Sequence, residues 1–400
     1  MNVPKLRFKE FNGEWEEKTF RDIVSLNLVP VEKPNTDYVR LGIRSHCKGT
    51  FHELVKIENL LEADKMFLVP KDNLILNITF AWEHAIAITS ENDEGKYVSG
   101  RFPTFAFKKN EVPAFYESII RSKRMKYELG VASPGGAGRN RVLNKELFLD
   151  IPVKTTGFEE QTRIAEFVKC IDEKIENQKL VAESLENQKK GLMQKIFSQE
   201  LRFKDDDGKE FPAWEEKKLG EVGCFTKGGN LSKADLSDYG TECILYGELY
   251  TRYSEIANNI LSKTSVDKNT LYMSKYNDVL LPSSGETPED ISTATCLLKN
   301  GVALGGDLIV YRSDELDGRF NSYLLNHKCK MDIARIAQGK SVVHISSNAL
   351  KKIVVPVPCL EEQKKIVGFL FAINEKIENA KKSLEHWQQI KKGLLQQMFV

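Results

Sequence analysis

The sequence predicts an α+β protein built twice over: two tandem strand-rich domains, each followed by one long helix, with the helices pairing as an antiparallel coiled coil of pseudo-twofold symmetry. Three observations carry this. Glu159–Phe197 recurs as Glu361–Phe399 without a gap, at an offset of 202 residues and with about half of the aligned residues identical. A period of that length is a domain duplication and not a solenoid. The stretches ahead of each copy hold short apolar runs (AIAIT, FPTFAF, LIVYR, KIVVPV) between clusters of Gly, Asn, Asp and Pro, the pattern of short strands and turns. The repeated stretch itself carries an apolar stripe at helical spacing.

The elements follow in order. LRFKEFNGEWEEKTF near Leu6 returns as LRFKDDDGKEFPAWEEKKL from Leu201. Weaker echoes come next: YVRLG at Tyr38 against CILYG at Cys243, and DNLIL at Asp72 against DVLLP at Asp278. A helix is expected late in each domain, over PAFYESIIRSKRMKYEL and RFNSYLLNHKCKMDIARIA. DIPVK and IVVPVP then precede the long helices. The expected division is 1–157, a first globular domain; 158–198, its helix; 199–358, the second domain; and 359–400, the second helix. Thr156 with Glu159 makes a capping box for the first helix, whereas the second has Pro358 at the matching place.

Steps of four and three residues along the first helix read Ile164, Val168, Ile171, Ile175, Gln178, Ala182, Leu185, Lys189, Leu192 and Ile196. Along the second they read Ile366, Leu370, Ile373, Ile377, Ala380, Leu384, Trp387, Lys391, Leu394 and Met398. This is a heptad seam with polar interruptions. The plainer alternative is two surface helices, each packed on its own domain. Pairing is preferred because the stripe is narrow, long and in the same phase in both copies. A helix of 39 residues spans about 58 Å at about 1.5 Å per residue. A second helix pairing with the first must run back antiparallel, returning Val400 to the neighbourhood of domain one. The N-terminal LRF segment would then meet an arriving helix end, as its twin at Leu201 does directly. Symmetry alone puts Ile171 opposite Trp387 and Leu185 opposite Ile373.

A net charge of +1 gives no global attraction to nucleic acid, so any such binding must be local. Domain one supplies Arg121, Lys123, Arg124, Lys126, Arg139 and Arg141 against Glu128, around the glycine-rich loop SPGGAGRNR with Asn140. Domain two supplies Lys328, Lys330, Arg335, Lys340 and Ser341 against Asp332. Each cluster alone could be a solvated helix face. Two clusters at equivalent places favour contact with DNA, which twofold proteins read as separated half-sites. The seven cysteines are scattered without a CxxC and are expected to be reduced thiols. No apolar run approaches eighteen residues and MNVPKLRFKEF lacks a signal core, so a soluble, cytoplasmic protein is expected.

Catalytic motifs fail one by one. Gly339–Ser341 reads GKS, but a phosphate loop needs glycine where Ala334 stands, and strand-like VVHI follows where a helix should begin. GGAGRN breaks the dinucleotide pattern at Asn140. The tetrapeptide of an adenine methyltransferase is missing, the six histidines have no metal-ligand spacing, and the acids of ETPEDIS at Glu286 read as a solvated loop. Neither a catalytic residue nor a metal site is assigned.

The double pattern resembles the specificity subunit of a type I restriction–modification system. The resemblance covers essentially the whole chain: each helix opens with P-x-x-EQ or a close variant, here Thr156–Gln161 and Pro358–Gln363. It implies two target-recognition domains, each reading one half of a bipartite, asymmetric site on double-stranded DNA. It further implies helices that set the spacer and dock two methyltransferase subunits, joined by restriction and translocase subunits. No cofactor is then expected on this chain; S-adenosylmethionine, ATP and Mg belong to the partner subunits. The heads diverge more than the helices do, as different half-sites require.

Overall fold

The computed structural model describes residues 3–57, 65–135, 141–339 and 342–399. The chain divides into two compact units, Met1–Lys179 with Lys382–Val400, and Leu180–Lys381. The division passes through the middle of both long helices, Phe158–Phe197 and Leu360–Met398. Each unit therefore holds one globular head with a part of each helix.

In the first unit, Asn73–Leu76 is buried along its whole length, as the apolar run after Asn73 demands of a central strand. It lies between Thr104–Phe107 and Ile86–Ile88, and Val24–Leu26 completes this antiparallel sheet. A second sheet runs Val29–Val31, Met66–Leu68, Tyr97–Ser99, Tyr38–Ile43 and Thr50–Val55. The core packs Phe20 face to face on Phe148, with ring centroids 4.9 Å apart, among Trp15, Phe115 and Tyr116. Ile164 and Met398 from the two long helices join the same core.

The second unit repeats the scheme. Asp278–Pro282, fully buried, lies between Leu308–Arg312 and Thr295–Leu297, with Cys224–Lys227 and Ile256–Ala257 outside them. A second sheet orders Leu236–Ser237, Ser262–Thr264, Thr241–Ile244 and Ala303–Leu304. The register repeats as well: Thr104 opposite Ile75 returns as Ile309 opposite Leu281. A two-stranded ribbon closes each head, Glu16–Thr19 with Pro152–Thr155 and Glu215–Lys218 with Val354–Val357.

The single late helix expected in each head is two. Pro113–Ile120 ends at Arg121, and Ser122, in extended backbone, caps Lys123–Val131 by accepting from the Met125 amide at 3.0 Å. In the second head, Gly318–His327 breaks from Lys330–Ile336 at Lys328 and Cys329. A serine inside an apolar period competes for backbone donors and starts a new helix. The capping box at Thr156 also differs from expectation. The helix starts at Phe158, and the Thr156 hydroxyl donates to Glu160 instead of pairing with Glu159.

The repeated LRF segment has one structural role, performed twice. In the second unit the Leu201 amide donates to the Lys195 carbonyl at 3.0 Å, directly past the end of the first helix. In the first unit the Leu6 amide donates to the Gln397 carbonyl at 2.9 Å, so the chain's opening segment meets its last helical turn. Lys195 and Gln397 are related by the 202-residue offset. Phe8 edges onto Phe167 at 5.5 Å and Phe203 onto Phe369 at 5.4 Å. Arg7 forks onto Glu160 at 2.7 and 2.8 Å, and Arg202 onto Glu362 at 2.8 Å through both arms.

These contacts explain why Glu159–Gln161, Glu-Glu-Gln, recurs as Glu361–Gln363. The Glu160 and Glu362 side chains are only 3% and 0% exposed, so each buried carboxylate requires its guanidinium. Trp214 donates a further bond to Glu362 at 2.8 Å. Gln161 donates to the Thr156 carbonyl at 2.7 Å and accepts from the Val112 amide at 2.9 Å. Gln363 donates to the Pro358 carbonyl at 2.8 Å and accepts from the Asp317 amide at 2.7 Å. Each glutamine thus braces its helix start against the preceding loop.

The heptad stripe is the covered face of both helices. Ile164, Ile171, Ala182, Ile196, Ile366, Leu370, Ile377, Ala380 and Met398 are buried. Val168, Ile175, Leu185, Leu192, Ile373, Leu384, Trp387 and Leu394 are half-buried. Within the first unit the helix segments run antiparallel: Ile164 and Met398 share the core, and Lys391 pairs with Asp172. Lys174 sits 6.0 Å over the Trp387 ring, which places that tryptophan about one turn from its symmetry-guessed partner Ile171. Within the second unit, Lys381 reaches Glu186 at 2.8 Å, while Phe197 and Ile366 share a core.

One substitution between copies redirects this packing. Asn374 stands at the position equivalent to Asp172, so Lys189, the counterpart of Lys391, has no carboxylate there. Asn374 instead donates to the Tyr323 hydroxyl at 2.6 Å, and Lys189 lies over the Tyr323 ring. The Lys189 ammonium pairs with Glu255 of the second head at 3.2 Å, and His327 meets the same carboxylate at 3.0 Å. Burial pushes the Glu255 carboxyl up, but the His327 bond and the Lys189 charge outweigh it and hold the group at about 2.

Candidate nucleic-acid interface

The first basic cluster sits on Lys123–Val131. Met125 and Leu129, four residues apart, are buried, which turns Lys123, Arg124 and Lys126 outward together. The exposed Arg121 and Arg124 lie only loosely against Glu117 and the half-buried Glu128, at 3.6 and 3.9 Å. Such exposed pairs contribute little and yield readily to a phosphate. Arg141 is placed differently. Its guanidinium donates to the carbonyls of Gly130 and, at 3.0 Å, Ser133, and lies 5.7 Å over the Trp82 ring. It closes the C-terminal end of the basic helix, where the carbonyls lack helical partners. Arg139 and Asn140 lie outside the described residues.

The second cluster is sparser. Lys328 and Arg335 are exposed and Lys330 is half-buried. Arg335 pairs with Asp332 at 3.1 Å, one turn away on the same helix. Lys340 and Ser341 lie outside the described residues. The helix keeps its place in the fold while its charge differs from that of its counterpart.

Each head also holds an open cleft that the sequence reading did not single out. In the first unit it has a volume of about 820 Å³ and lies between the sheet containing Tyr38–Ile43 and the loop Asn77–His84. That loop is tied to the basic helices: the His84 ring bonds to the Ile120 carbonyl at 2.6 Å, and the Leu143 amide donates to the Ile78 carbonyl at 2.8 Å. Burial lowers the His84 pKa, which keeps the ring neutral inside the head. In the second unit a cleft of about 900 Å³ lies between the sheet containing Thr241–Ile244 and the loop carrying Glu286. The clue available in sequence was the contrast between matching flanks, DNLIL with DVLLP, and the unlike residues that follow them.

The duplicated frame presents an exposed basic helix in the first head and a sparser, partly paired one in the second. Residues 213–386 match the type I restriction modification DNA specificity domain. Over 90% of its length the chain is 24% identical to the type I restriction enzyme MjaVIII specificity subunit of Methanocaldococcus jannaschii, covering 83% of that protein. Its fold is similar to that of the HsdS subunit from Thermoanaerobacter tengcongensis, with a TM-score of 0.51, 17% identity and 96% of each chain covered. It is also similar to the S subunit of the type I restriction–modification system from M. genitalium, with a TM-score of 0.56, 16% identity and 100% of this chain and 99% of that one covered. The match to the specificity domain thus covers the second head and part of its helix, while the likeness to type I specificity subunits extends over nearly the whole chain. Among the described residues no helix is long and apolar enough to cross a membrane.

Proposed function

We propose that this chain reads a bipartite, asymmetric site on double-stranded DNA, one half with each head, 1–157 and 199–358. The long helices, 158–198 and 359–400, set the spacer and dock two methyltransferase subunits. Restriction and translocase subunits join that core in the cytoplasm, and S-adenosylmethionine, ATP and Mg are bound by the partners. One observation carries this reading: the two heads share strand register, ribbon, Arg–Glu clamp and glutamine brace, yet present different side chains on the basic helix and around the cleft. A repeated frame with unlike surfaces suits two unlike half-sites, because base readout depends on exchangeable side chains. Lys123, Arg124 and Lys126 contact phosphate in the first head, and Lys328 and Lys330 in the second. The test exchanges residues 20–150 for the first head of another specificity subunit and maps methylation in cells that also hold the methyltransferase. One half of the methylated site should change. A change in both halves, or in neither, refutes the two-reader assignment.

A further inference from the structure

We propose that the cleft in each head is where bases are read, with Phe80 and Arg101 determining specificity in the first and Glu286 in the second. This rests on the two-reader proposal and locates the reading within each head. The two clefts are the same place in the fold. Matching Thr104 opposite Ile75 to Ile309 opposite Leu281 brings Phe80 onto Glu286 by residue count. The same strand pairing brings Gly100 onto Gly305 and Arg101 onto Gly306. All of these residues line their clefts. A Cβ on Gly305 would meet the Leu245 side chain at 2.8 Å, so the wall there is kept bare.

The rims are unlike. Phe80 is 46% exposed, and Arg101 is exposed with no acid in ion-pair reach among the described residues. At the corresponding positions the second cleft has a carboxylate and no side chain at all. Arginine matches the paired acceptors on the major-groove edge of guanine, and an aromatic ring packs against a thymine methyl. A carboxylate repels phosphate, so Glu286 facing DNA has a base amino group as its partner, on cytosine or adenine. The ETPEDIS loop, an acidic segment on a DNA-binding head, thereby acquires a purpose. The first cleft also adjoins the basic helix, since its loop 77–84 is bonded to Ile120 and Leu143, which flank that helix in sequence. Positioning contacts and reading contacts are then neighbours, as sequence-specific binding requires.

The test uses the full chain assembled with its methyltransferase subunits and maps the methylated sites of Arg101→Ala, Phe80→Ala and Glu286→Gln. All three side chains are exposed, so the fold is expected to survive substitution. Arg101→Ala should relax one base position in one half-site by about tenfold or more, the order supplied by one base contact. Glu286→Gln should relax the other half-site alone. A Lys123→Ala, Arg124→Ala variant serves as the phosphate control and should weaken methylation with the site unchanged. Unchanged half-sites in the cleft variants, or a uniform loss like that of the control, overturn the proposal. If head exchange still switches one half-site in that case, the two-reader reading stands and only the cleft is wrong. If Arg101→Ala alters both half-sites, both proposals fall.

Discussion

Replacing Arg7 by Ala tests whether the LRF segment locks the first unit. The guanidinium makes two bonds to Glu160, at 2.7 and 2.8 Å, and another to the Asn12 carbonyl at 3.1 Å. The Arg7 and Glu160 side chains are 12% and 3% exposed, so the carboxylate is buried behind a half-buried guanidinium. Removing one partner of a buried pair leaves an uncompensated charge and costs about 3–5 kcal/mol. Burial raises the Glu160 pKa, but the Arg7 and Thr156 bonds outweigh it and hold the group below its ordinary 4.5. A depressed folded pKa means that the group stabilises the protein fully above about 4.5 and loses that contribution as pH falls through the lower folded value. In Arg7→Ala the main opposing cation is gone, the carboxyl pKa rises, and protonation relieves the variant. The deficit should therefore be about 3–5 kcal/mol at pH 7 and shrink towards pH 4.5. Hydrogen exchange resolves the first unit separately from the second, and Glu160→Gln with the double variant completes a cycle. A deficit below about 1 kcal/mol that does not change with pH would show a solvated surface pair and refute the reasoning.

Two further outcomes follow. Glu255→Gln removes a carboxylate whose pKa falls from 4.5 to about 2 on folding, a shift on the order of 3 kcal/mol. The variant should be less stable by that order at pH 7, and the gap should close as pH falls from about 4.5 towards about 2; equal stability in urea at pH 7 would contradict the Lys189–Glu255–His327 geometry. On the proposed spacer role, deleting one heptad from both long helices removes about 10 Å of helix at about 1.5 Å per residue, or about three base pairs at about 3.4 Å each. Methylation mapping should then show both half-sites with a shorter spacer, or poor binding; the original site methylated at full rate would exclude the helices as the ruler.

The two copies illustrate how a local change is absorbed by distant partners. Lys391 finds Asp172, whereas Lys189 finds Asn374 at the same place and turns to Glu255, a residue of the second head. The lysines match in sequence and differ in what they hold. In the first unit the ion pair joins helix to helix, and in the second it joins helix to head.

By itself the sequence determined the duplication, the long helices and their covered face, because repetition and heptad period are written in neighbouring residues. Ile164, Ile171, Ile366 and Ile377 are buried where the stripe put them. It also marked LRF and EEQ as paired features without saying what they pair with. Arg7 and Glu160 are 153 residues apart, and only packing brings them together. The break at Ser122 was hidden in a continuous apolar period, since a capping bond is a choice between backbone partners that composition does not decide. The one-turn difference at Trp387 arose because symmetry does not specify how long side chains interlock. The clefts were least legible of all. Their walls come from segments around residues 40, 80 and 100 in one head and 230, 246, 286 and 305 in the other. Strand register assembles those segments, and the side chains on them differ between the heads, so the repeat marked only their flanks.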